Sequence, residues 1–406
     1  TVKAHDEQGN DVKISLDGSD TVLQIFKTVS ESHVGELSLF RVYSGSVKPG
    51  DDLYNSDRKT SERFGQMFVL NGKNRTQVDR VSAGDIAGVV KLKNTHTNNT
   101  LCSGKHVSLP PLELPNPNIH AAIVPTAKGD EEKLAIGLAT LHEEDPTFVY
   151  RVDSEVKQTI ISGQGELHLK VTTERLKRKF GIDILLEKPR VPYRETITGK
   201  GAAKYRHKKQ SGGAGQFAEV WMRIEPKQRG EGVEFTQSLV GQNVDRVFVP
   251  SVEKGVKSTC TEGILANCKV VDVRVDFYDG KMHPVDSKDI AFQTAGAHAF
   301  RDAFLSAQPC LLEPIMDIEV KIPEEFMGDI MGDISGKRGK IMGMDSDGSF
   351  QVIRAQVPQA ELYNYATTVR SLTGGRGIHS ESSSHYEKMP KDFERKVIAA
   401  TKKDEE

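Results

Sequence analysis

The stretch "GDEEKLAIGLATLHEEDP", residues 129–146, predicts an amphipathic helix. Leu134, Leu138 and Leu141 recur at helical spacing, so they share one apolar face. Glu131 and Glu132 fall in the first turn, where the helix dipole favours negative charge. Residues 129–146 are therefore expected to form one helix that needs a partner surface to cover its leucines.

The segments on both sides supply that surface. Alternating stretches predict a strand before the helix and a hairpin after it, followed by a second helix that ends at Gly181 and a last strand. The stretches are "IHAAIVPTA" (119–127), "FVYRVD" (148–153), "QTIISGQ" (158–164), "GELHLKVTTERLKRKFGI" (165–182) and "DILLEKP" (183–189). This β-α-β-β-α-β order is that of the ferredoxin-like split βαβ arrangement.

The same order recurs near the carboxyl end. The pattern predicts a helix with Met327, Ile330, Met331 and Ile334 on one face, a hairpin around Asp347-Gly348 and a second helix closed by Gly374. The segments are "PIMDIEVKIP" (314–323), "EEFMGDIMGDISG" (324–336), "KIMGMDS" (340–346), "SFQVIRAQVP" (349–358), "QAELYNYATTVRSLTGG" (359–375) and "GIHSESSSHYEKM" (377–389). Two split βαβ domains thus bracket a middle region, and a charged tail follows the second.

Residues 20–108 favour an all-β domain. Short alternating runs are separated by Gly, Pro, Asn and Asp turns, which is typical of a small barrel. The Pro-dense stretch "SLPPLELPNPN", residues 108–118, indicates a linker. A chain of 406 residues is also too long for one core and fits two to four domains.

The totals exclude several classes of protein. No run of apolar residues is long enough to span a membrane, and the opening residues do not have the pattern of a secretory leader, so neither a membrane span nor a signal peptide is expected. The cysteines, Cys102, Cys260, Cys268 and Cys310, are scattered without a C-x-x-C pair, so free thiols in a reducing compartment are expected. The net charge of −2 does not by itself indicate nucleic-acid binding, so any such binding must come from local patches.

The sequence predicts no nucleotide or catalytic site in this chain. The nearest match to a phosphate-binding loop is "GDISGKRG", residues 332–339, but its first two glycines are one residue too close and Arg338 stands where Ser or Thr is required. That stretch is interpreted as the end of a helix. The histidines are dispersed, and neither H-E-x-x-H nor G-x-S-x-G occurs, so no catalytic or metal residue is assigned.

A basic, Gly-rich segment, "RHKKQSGGAGQFAEV" (206–220), is the candidate binding site. Glycines allow close backbone approach, and the lysines attract phosphate. A polar residue such as Gln216 can hydrogen-bond bases or 2′-hydroxyls. The alternative is a solvent-facing mobile hairpin. A second loop, within "FYDGKMHPVDSKD" (277–289), presents Lys281 and His283 at its turn; if the strands pair, the two loops form one tip.

Several motifs in register resemble translation elongation factor G across nearly the whole chain. They are "RVYSGSVKPGDDLYN", "LATLHEEDPTF…QTIISGQGELHL", "KPRVPYRETIT", "KKQSGGAGQF", "HPVDSKDIAF" and "LLEPIMDIEV…SLTGGRG". The resemblance implies a multidomain α+β protein that corresponds to the family's domains II–V and lacks its amino-terminal GTPase domain. The expected domains are β-barrel II (1–112), split-βαβ III (113–189), an elongated α+β domain IV resembling the ribosomal protein S5 domain 2-like fold (190–311), and split-βαβ V with the tail (312–406).

The resemblance also implies a function. Domain IV of this family enters the decoding site of the small ribosomal subunit and supports tRNA–mRNA translocation during protein synthesis, while domain V meets large-subunit rRNA. Carried over, the decoding-site tip comprises Lys208, Lys209, Ser211, Gly212, Gly213, Gly215, Gln216, Lys281 and His283, and the large-subunit contacts are Arg370 and Arg376. Expected partners are ribosomal rRNA and proteins and tRNA–mRNA; the protein is expected to be a cytoplasmic monomer, with GTP and Mg²⁺ bound only in the missing GTPase domain of a full-length GTPase.

The sequence departs from the family pattern at the tip. Phe217, Ala218 and Glu219 replace the usual Tyr-Gly-His, Pro284 replaces an acid, and Gly375 replaces a common Lys before Arg376. Three alternatives therefore stay open: a divergent paralogue without housekeeping translocase activity, a tetracycline-resistance ribosomal protection protein, and a non-ribosomal scaffold that binds protein.

Overall fold

The computed structural model describes residues 1–31, 35–72, 74–127, 129–210 and 215–403, with side chains described as far as residue 401. Within these residues the chain divides into two units. The first consists of residues 1–152 and 158–189, and the second of residues 153–157 and 190–406. Each unit has its own hydrophobic cores and is described separately.

The first unit opens with the β-barrel domain that the turn pattern predicts. Its main antiparallel sheet has the order β7-β6-β12-β3-β4-β11-β8-β9, and it surrounds a core in which Leu23, Phe40, Met67 and Leu101 are fully buried. The strands are β1 Val2–Asp6, β2 Asp11–Ile14, β3 Val22–Glu31, β4 Gly35–Ser44, β5 Ser46–Val47, β6 Asp52–Asn55, β7 Thr60–Arg63, β8 Met67–Asn71, β9 Asn74–Val78, β10 Val81–Ser82, β11 Ile86–Val90, β12 Thr100–Cys102 and β13 Val107–Ser108.

The same unit continues with the first split βαβ domain. The predicted leucines, Leu134, Leu138 and Leu141, are buried on α1, and Gly181 ends α2 in the left-handed region with φ 70°. The sheet order β15-β16-β14-β17 is the one that the β-α-β-β-α-β chain order requires. The elements are β14 Ile119–Pro125, α1 Glu131–Glu144, β15 Val149–Asp153, β16 Gln158–Gly163, α2 Glu166–Phe180 and β17 Ile184–Glu187.

The second unit begins with a sheet covered by helices on one face. Its order is β19-β20-β22-β21, and alternate residues of β20 and β22 pack against Phe292, Phe300 and Phe304 of α4. The elements are β18 Arg194–Ile197, β19 Gly201–Lys209, β20 Gln216–Pro226, β21 Val233–Gln237, α3 Val249–Glu262, β22 Val273–Lys281 and α4 Asp289–Ser306, with a short 3₁₀ helix at Arg246–Phe248.

The second split βαβ domain completes the unit. Ile330 and Ile334 of α5 are fully buried, as the spacing predicts, but α6 begins at Tyr365 because residues 359–361 form a separate 3₁₀ turn. The elements are β23 Pro309–Pro323, α5 Met327–Gly336, β24 Lys340–Asp347, β25 Phe350–Pro358, α6 Tyr365–Leu372, β26 Ile378–Lys388 and α7 Lys391–Lys403, with 3₁₀ helices at Glu324–Phe326 and Gln359–Glu361.

The two modules of the second unit share one sheet. Strand β18, which precedes the middle module, pairs with the beginning of β23, so that Thr196 lies opposite Cys310. Strand β23 then pairs with β25 and β26, which gives the order β26-β23-β25-β24 expected of a second split βαβ domain. Because β23 runs without a break from Pro309 to Pro323, no linker separates the two modules there.

A buried carboxylate fixes the joint between these modules. Glu195 on β18 is fully buried. Its Oε2 accepts hydrogen bonds from the backbone N–H groups of Ile264 (2.7 Å) and Leu265 (2.8 Å), and its Oε1 accepts from Ala266 (2.9 Å) and Cys268 (3.1 Å). Each ionic hydrogen bond replaces hydration that the carboxylate lost on burial. The loop after α3 is therefore held directly against β18.

Replacing Glu195 by Gln should destabilise the second unit by about 3 kcal/mol, because an amide nitrogen cannot accept hydrogen bonds and buried N–H groups would lose their acceptor. The measurement is urea unfolding followed by the fluorescence of Trp221, which lies in the same unit and is the chain's one tryptophan.

The matched control is Glu319→Gln, since Glu319 is 49% exposed in a surface ion pair with Arg354 and should contribute less than about 1 kcal/mol. Equal effects of the two substitutions would contradict the structural role of Glu195.

Candidate nucleic-acid interface

The candidate site lies where β19, β20 and β22 end on the same side of the middle sheet. Strands β19 and β20 form a hairpin whose last pair joins Lys209 and Gln216. Strand β22 lies on the other side of β20, with Lys281 opposite Glu219. The structure therefore brings the strand ends that flank the first proposed loop next to the beginning of the second loop. Ser211, Gly212 and Gly213, together with Ala214, fall outside the described residues.

Hydrogen bonds join the beginning of β20 to the loop after β22. The Phe217 N–H donates to the carbonyl of Asp286 at 2.9 Å, and the Ser287 hydroxyl donates to the carbonyl of Phe217 at 2.8 Å. Gly215 is buried beneath the second loop, and a Cβ at this position would lie 2.9 Å from the carboxyl carbon of Asp286. A side chain at position 215 would thus push the loops apart.

Gln216 is oriented by a residue that the sequence reasoning missed. Nε2 of His207, on the neighbouring strand, lies 3.1 Å from Oε1 of Gln216. A hydrogen bond from His207 occupies the amide oxygen of Gln216, so the amide NH₂ remains as its donor group. The sequence alone does not show that His207 contacts Gln216, because that contact depends on the register of the β19–β20 hairpin.

His283 is held in a defined tautomer. Its Nδ1 accepts from the backbone N–H groups of Val285 (3.3 Å) and Asp286 (3.2 Å), and the backbone N–H of His283 donates to the Ser287 hydroxyl at 2.8 Å. From the two backbone N–H donors, Nδ1 is assigned as the acceptor and Nε2 as the protonated nitrogen; Oδ2 of Asp286 also lies 3.5 Å from Nδ1. The side chain is 51% exposed, so an N–H donor faces outward from the tip.

The tip carries positive charge. Lys208, Lys209 and Lys281 are exposed, and among the described residues no carboxylate lies within ion-pair distance of them. Lys281 is not at the turn as expected: it is the last residue of β22, because its backbone continues the pairing with β20. The lysines flank the loops instead of forming their apex.

Glu219, expected from the family pattern to belong to the tip, supports the sheet instead. It is 4% exposed, accepts a hydrogen bond from the indole Nε1 of Trp221 at 2.8 Å, and pairs with Nε of Arg206. Burial alone would raise the pKa of the Glu219 carboxyl, but the hydrogen bonds from Trp221 and Arg206 and the charges of Arg206 and Lys281 outweigh it, and the pKa is lowered below 4.5. At neutral pH the Glu219 carboxylate is therefore ionised and bound to Trp221 and Arg206.

The two cations assigned to the large-subunit side lie near the end of α6. Arg370, in the last turn of α6, is exposed. The guanidinium of Arg376 lies 2.7 Å from Oε1 of Glu325 and stacks 4.9 Å from the ring centroid of Phe326. Arg376 is thus already paired within its own domain, whereas Arg370 is placed to meet a separate anion.

The stretch that most resembles a phosphate loop does not fit a nucleotide. Helix α5 ends at Gly336, as predicted, and the Arg338 guanidinium is bound by both carboxylate oxygens of Glu313, at 2.8 and 2.9 Å, and by Glu361 at 3.1 Å. These ion pairs raise the pKa of Arg338. Because carboxylates already occupy its N–H donors, the Arg338 guanidinium is not available to bind a phosphate. This stretch is therefore not assigned to GTP or Mg²⁺ binding.

Three further results concern the described residues. They contain no group of three or more His, Cys, Asp or Glu side chains placed to hold a metal ion. None of their helices is long and apolar enough to cross a membrane. The cysteines are free thiols, as expected, and burial together with the charge of Glu195 raises the pKa of Cys260 to about 12. That thiol is therefore protonated and unreactive at neutral pH.

These features define a multidomain α+β protein whose middle module ends in a cationic, hydrogen-bonding tip. Four family models match it in order: elongation factor G domain 2 (residues 21–104), domain III (114–188), domain IV (189–308) and the elongation factor G C-terminus (310–397). The chain belongs to the elongation factor G family, of which it carries these four domains.

A solved structure agrees with this placement. A crystal structure of a protein from Thermus thermophilus matches 95% of this chain with a TM-score of 0.81 and 33% sequence identity. The match covers 58% of that protein's chain, so this chain spans less than two thirds of its relative. The boundaries proposed from the sequence at residues 112, 189 and 311 stay predictions.

Acid should remove the contribution of Glu219 to stability. Because folding lowers its pKa, the carboxylate stabilises the folded state above pH 4.5, and this contribution is lost as the pH falls through the lowered value. The difference in urea midpoint between the wild-type protein and Glu219→Gln, followed by circular dichroism, should be largest near pH 7 and shrink below about pH 4.5.

Other carboxylates of the sheet with lowered pKa values, Glu225 and Glu234, are common to both proteins and cancel in that difference. A difference in midpoint that stays constant from pH 7 down to about pH 3 would show that the ionised form of Glu219 does not stabilise the sheet.

Proposed function

We propose that this chain is the ribosome-binding part of an elongation factor G-like translational GTPase that promotes tRNA–mRNA translocation. Family membership supports the class of protein, and the geometry of the tip carries the role of domain IV. Exposed lysines lie beside the beginning of β20 and the loop after β22, which are joined by hydrogen bonds and carry the Gln216 amide and the His283 imidazole. Phosphate attraction combined with directional donors is what recognition of folded RNA requires.

In this proposal the chain positions RNA and carries out no covalent chemistry. Lys208, Lys209 and Lys281 bind phosphates of the decoding region or of the tRNA–mRNA duplex. Gln216 and His283 donate hydrogen bonds to base edges or 2′-hydroxyls. GTP and Mg²⁺ are assigned to a GTPase domain outside these residues, and the protein acts as a cytoplasmic monomer on both ribosomal subunits, with Arg370 on the large-subunit side.

Glu219, where the family pattern differs, limits which tip residues can contact RNA. The family pattern has a histidine where Glu219 stands, but here that side chain is directed to Arg206 and Trp221 and away from any ligand. The tip of this protein therefore relies on Gln216 and His283 for directional contacts. A divergent paralogue without housekeeping translocase activity is the second candidate, and it shares the same RNA-facing residues.

Gln216→Ala and His283→Ala, introduced separately into the complete protein, should each slow single-round ribosomal translocation about five- to tenfold. That factor corresponds to the loss of one hydrogen bond in the transition state, at about 1–1.4 kcal/mol. The urea midpoint should stay unchanged, because neither side chain belongs to the core.

The matched control is Gln228→Ala, in the exposed turn that follows β20 at the end of the sheet opposite the tip. It should translocate at the wild-type rate. Wild-type rates in both tip variants would show that the tip assignment is wrong.

A further inference from the structure

The outer face of the domain IV sheet carries rings and cations that the core does not require. Four residues of β20 point into the core: Ala218, Val220, Met222 and Ile224. The residues that alternate with them, including Trp221 and Arg223, therefore point to the opposite face. The outer platform, as we call this surface, consists of Lys204, Arg206, Lys208, Trp221, Arg223 and Tyr278.

A β-bulge brings the two rings of the platform together. The pairing of β20 with β22 shifts register between Trp221 and Met222, so that Trp221 lies opposite Asp279 and Met222 opposite Phe277. Tyr278 is the extra residue, and its ring lies 6.2 Å from that of Trp221 at an interplanar angle of 74°. Bulges redirect side chains in this way.

The indole is also held at its edge. Its Nε1 donates to Glu219, whose other carboxylate oxygen is occupied by Arg206. Trp221 is half-buried, so the ring is both fixed in orientation and partly accessible from solvent. A ring that is anchored by its polar edge and lies on the solvent side of a sheet is preorganised for contact with a flat partner.

Cations cover the rings. Nζ of Lys204 lies 5.6 Å from the centroid of Trp221, and Cζ of Arg223 lies 5.4 Å from that of Tyr278. Arg223 is paired with Asp276, but in the part of the chain that the structure describes no carboxylate lies within ion-pair distance of Lys204 or Lys208. With Glu219, Asp276 and Asp279 counted against Lys204, Arg206, Lys208 and Arg223, the platform is an aromatic surface with one net positive charge.

We propose that the outer platform binds unpaired RNA, with bases stacked on Trp221 and Tyr278 and phosphates held by Lys204 and Lys208. The inference rests on the proposed RNA-binding role of domain IV and extends it to a second surface. Base stacking on an aromatic ring is stronger than a cation–π contact at an exposed site, so an arriving base displaces Lys204 from the indole. The released ammonium then meets the phosphate.

The position of the platform relative to the tip suits a continuous strand. Along β19, Lys208 lies opposite Phe217 and Lys204 lies opposite Trp221. The step of four residues along β19 from Lys208 to Lys204 spans about 13 Å. RNA that leaves the tip would therefore pass along these lysines to the two rings. A protein partner fits less well, because lysine is depleted in the cores of protein–protein interfaces.

The test uses Trp221 as its own probe, because it is the chain's one tryptophan. The full chain is titrated at low salt with an unstructured 12-nucleotide oligouridine, and indole fluorescence is recorded. Stacking should reduce the emission at saturation at least twofold. Tyr278→Ala should weaken the affinity about fivefold or more, whereas Tyr278→Phe, which keeps the ring, should retain it. Tyr363→Ala, on domain V, is the control and should bind like the wild-type protein.

Three outcomes would overturn the proposal. Heparin has charge but no bases, so if it reproduces the full quenching, charge alone is responsible. Unchanged fluorescence with oligouridine contradicts stacking. Quenching by RNA-free ribosomal proteins in place of oligouridine assigns the surface to a protein partner.

The result is independent of the tip experiment. If Gln216→Ala and His283→Ala slow translocation but oligouridine leaves Trp221 unquenched, the proposed function stands and the platform fails. If oligouridine quenches Trp221 but both tip variants translocate normally, the platform stands and the tip assignment fails.

Discussion

The pairing of β20 with β19 on one side and β22 on the other is the constraint on which the candidate interface depends. Ala218, Val220 and Met222 are fully buried, so a slip of one residue would turn apolar side chains to solvent and Trp221 into the core. The apolar face therefore fixes the register. Once the register is fixed, the hairpin loop and the loop after β22 must end side by side, and the outer face must carry the charged and aromatic residues.

A second set of contacts fixes this sheet against the other module of its unit. Glu195 binds the loop after α3, and residues of that loop, Leu265, Ala266 and Cys268, pack with Leu311 and Met389. Strand β18 pairs with β23 at the same place. The buried carboxylate and the shared sheet hold the two modules of this unit together, which gives the proposed RNA-binding tip a fixed base.

Much of the fold follows from local patterns, but the site depends on long-range pairing. Leucine spacing predicted α1, and the repeated element order predicted both split βαβ domains. The pattern missed α7, because Phe393, Val397 and Ile398 lie in a charged segment where apolar periodicity is weak. The sequence pattern predicts a turn at Lys281, where the structure has the end of β22. It does not reveal the roles of His207, Glu219 and Trp221, because these depend on the register between paired strands.

The most direct test of the central claim, that a cationic tip of domain IV binds RNA, is the salt dependence of binding to the small ribosomal subunit. The wild-type chain is compared with a variant in which Lys208, Lys209 and Lys281 are all replaced by Gln. If these lysines contact phosphates, the slope of log K against log salt should become shallower by about 2–3, because three contacts are lost at roughly 0.7–0.9 each. Equal slopes in the two proteins would contradict the account.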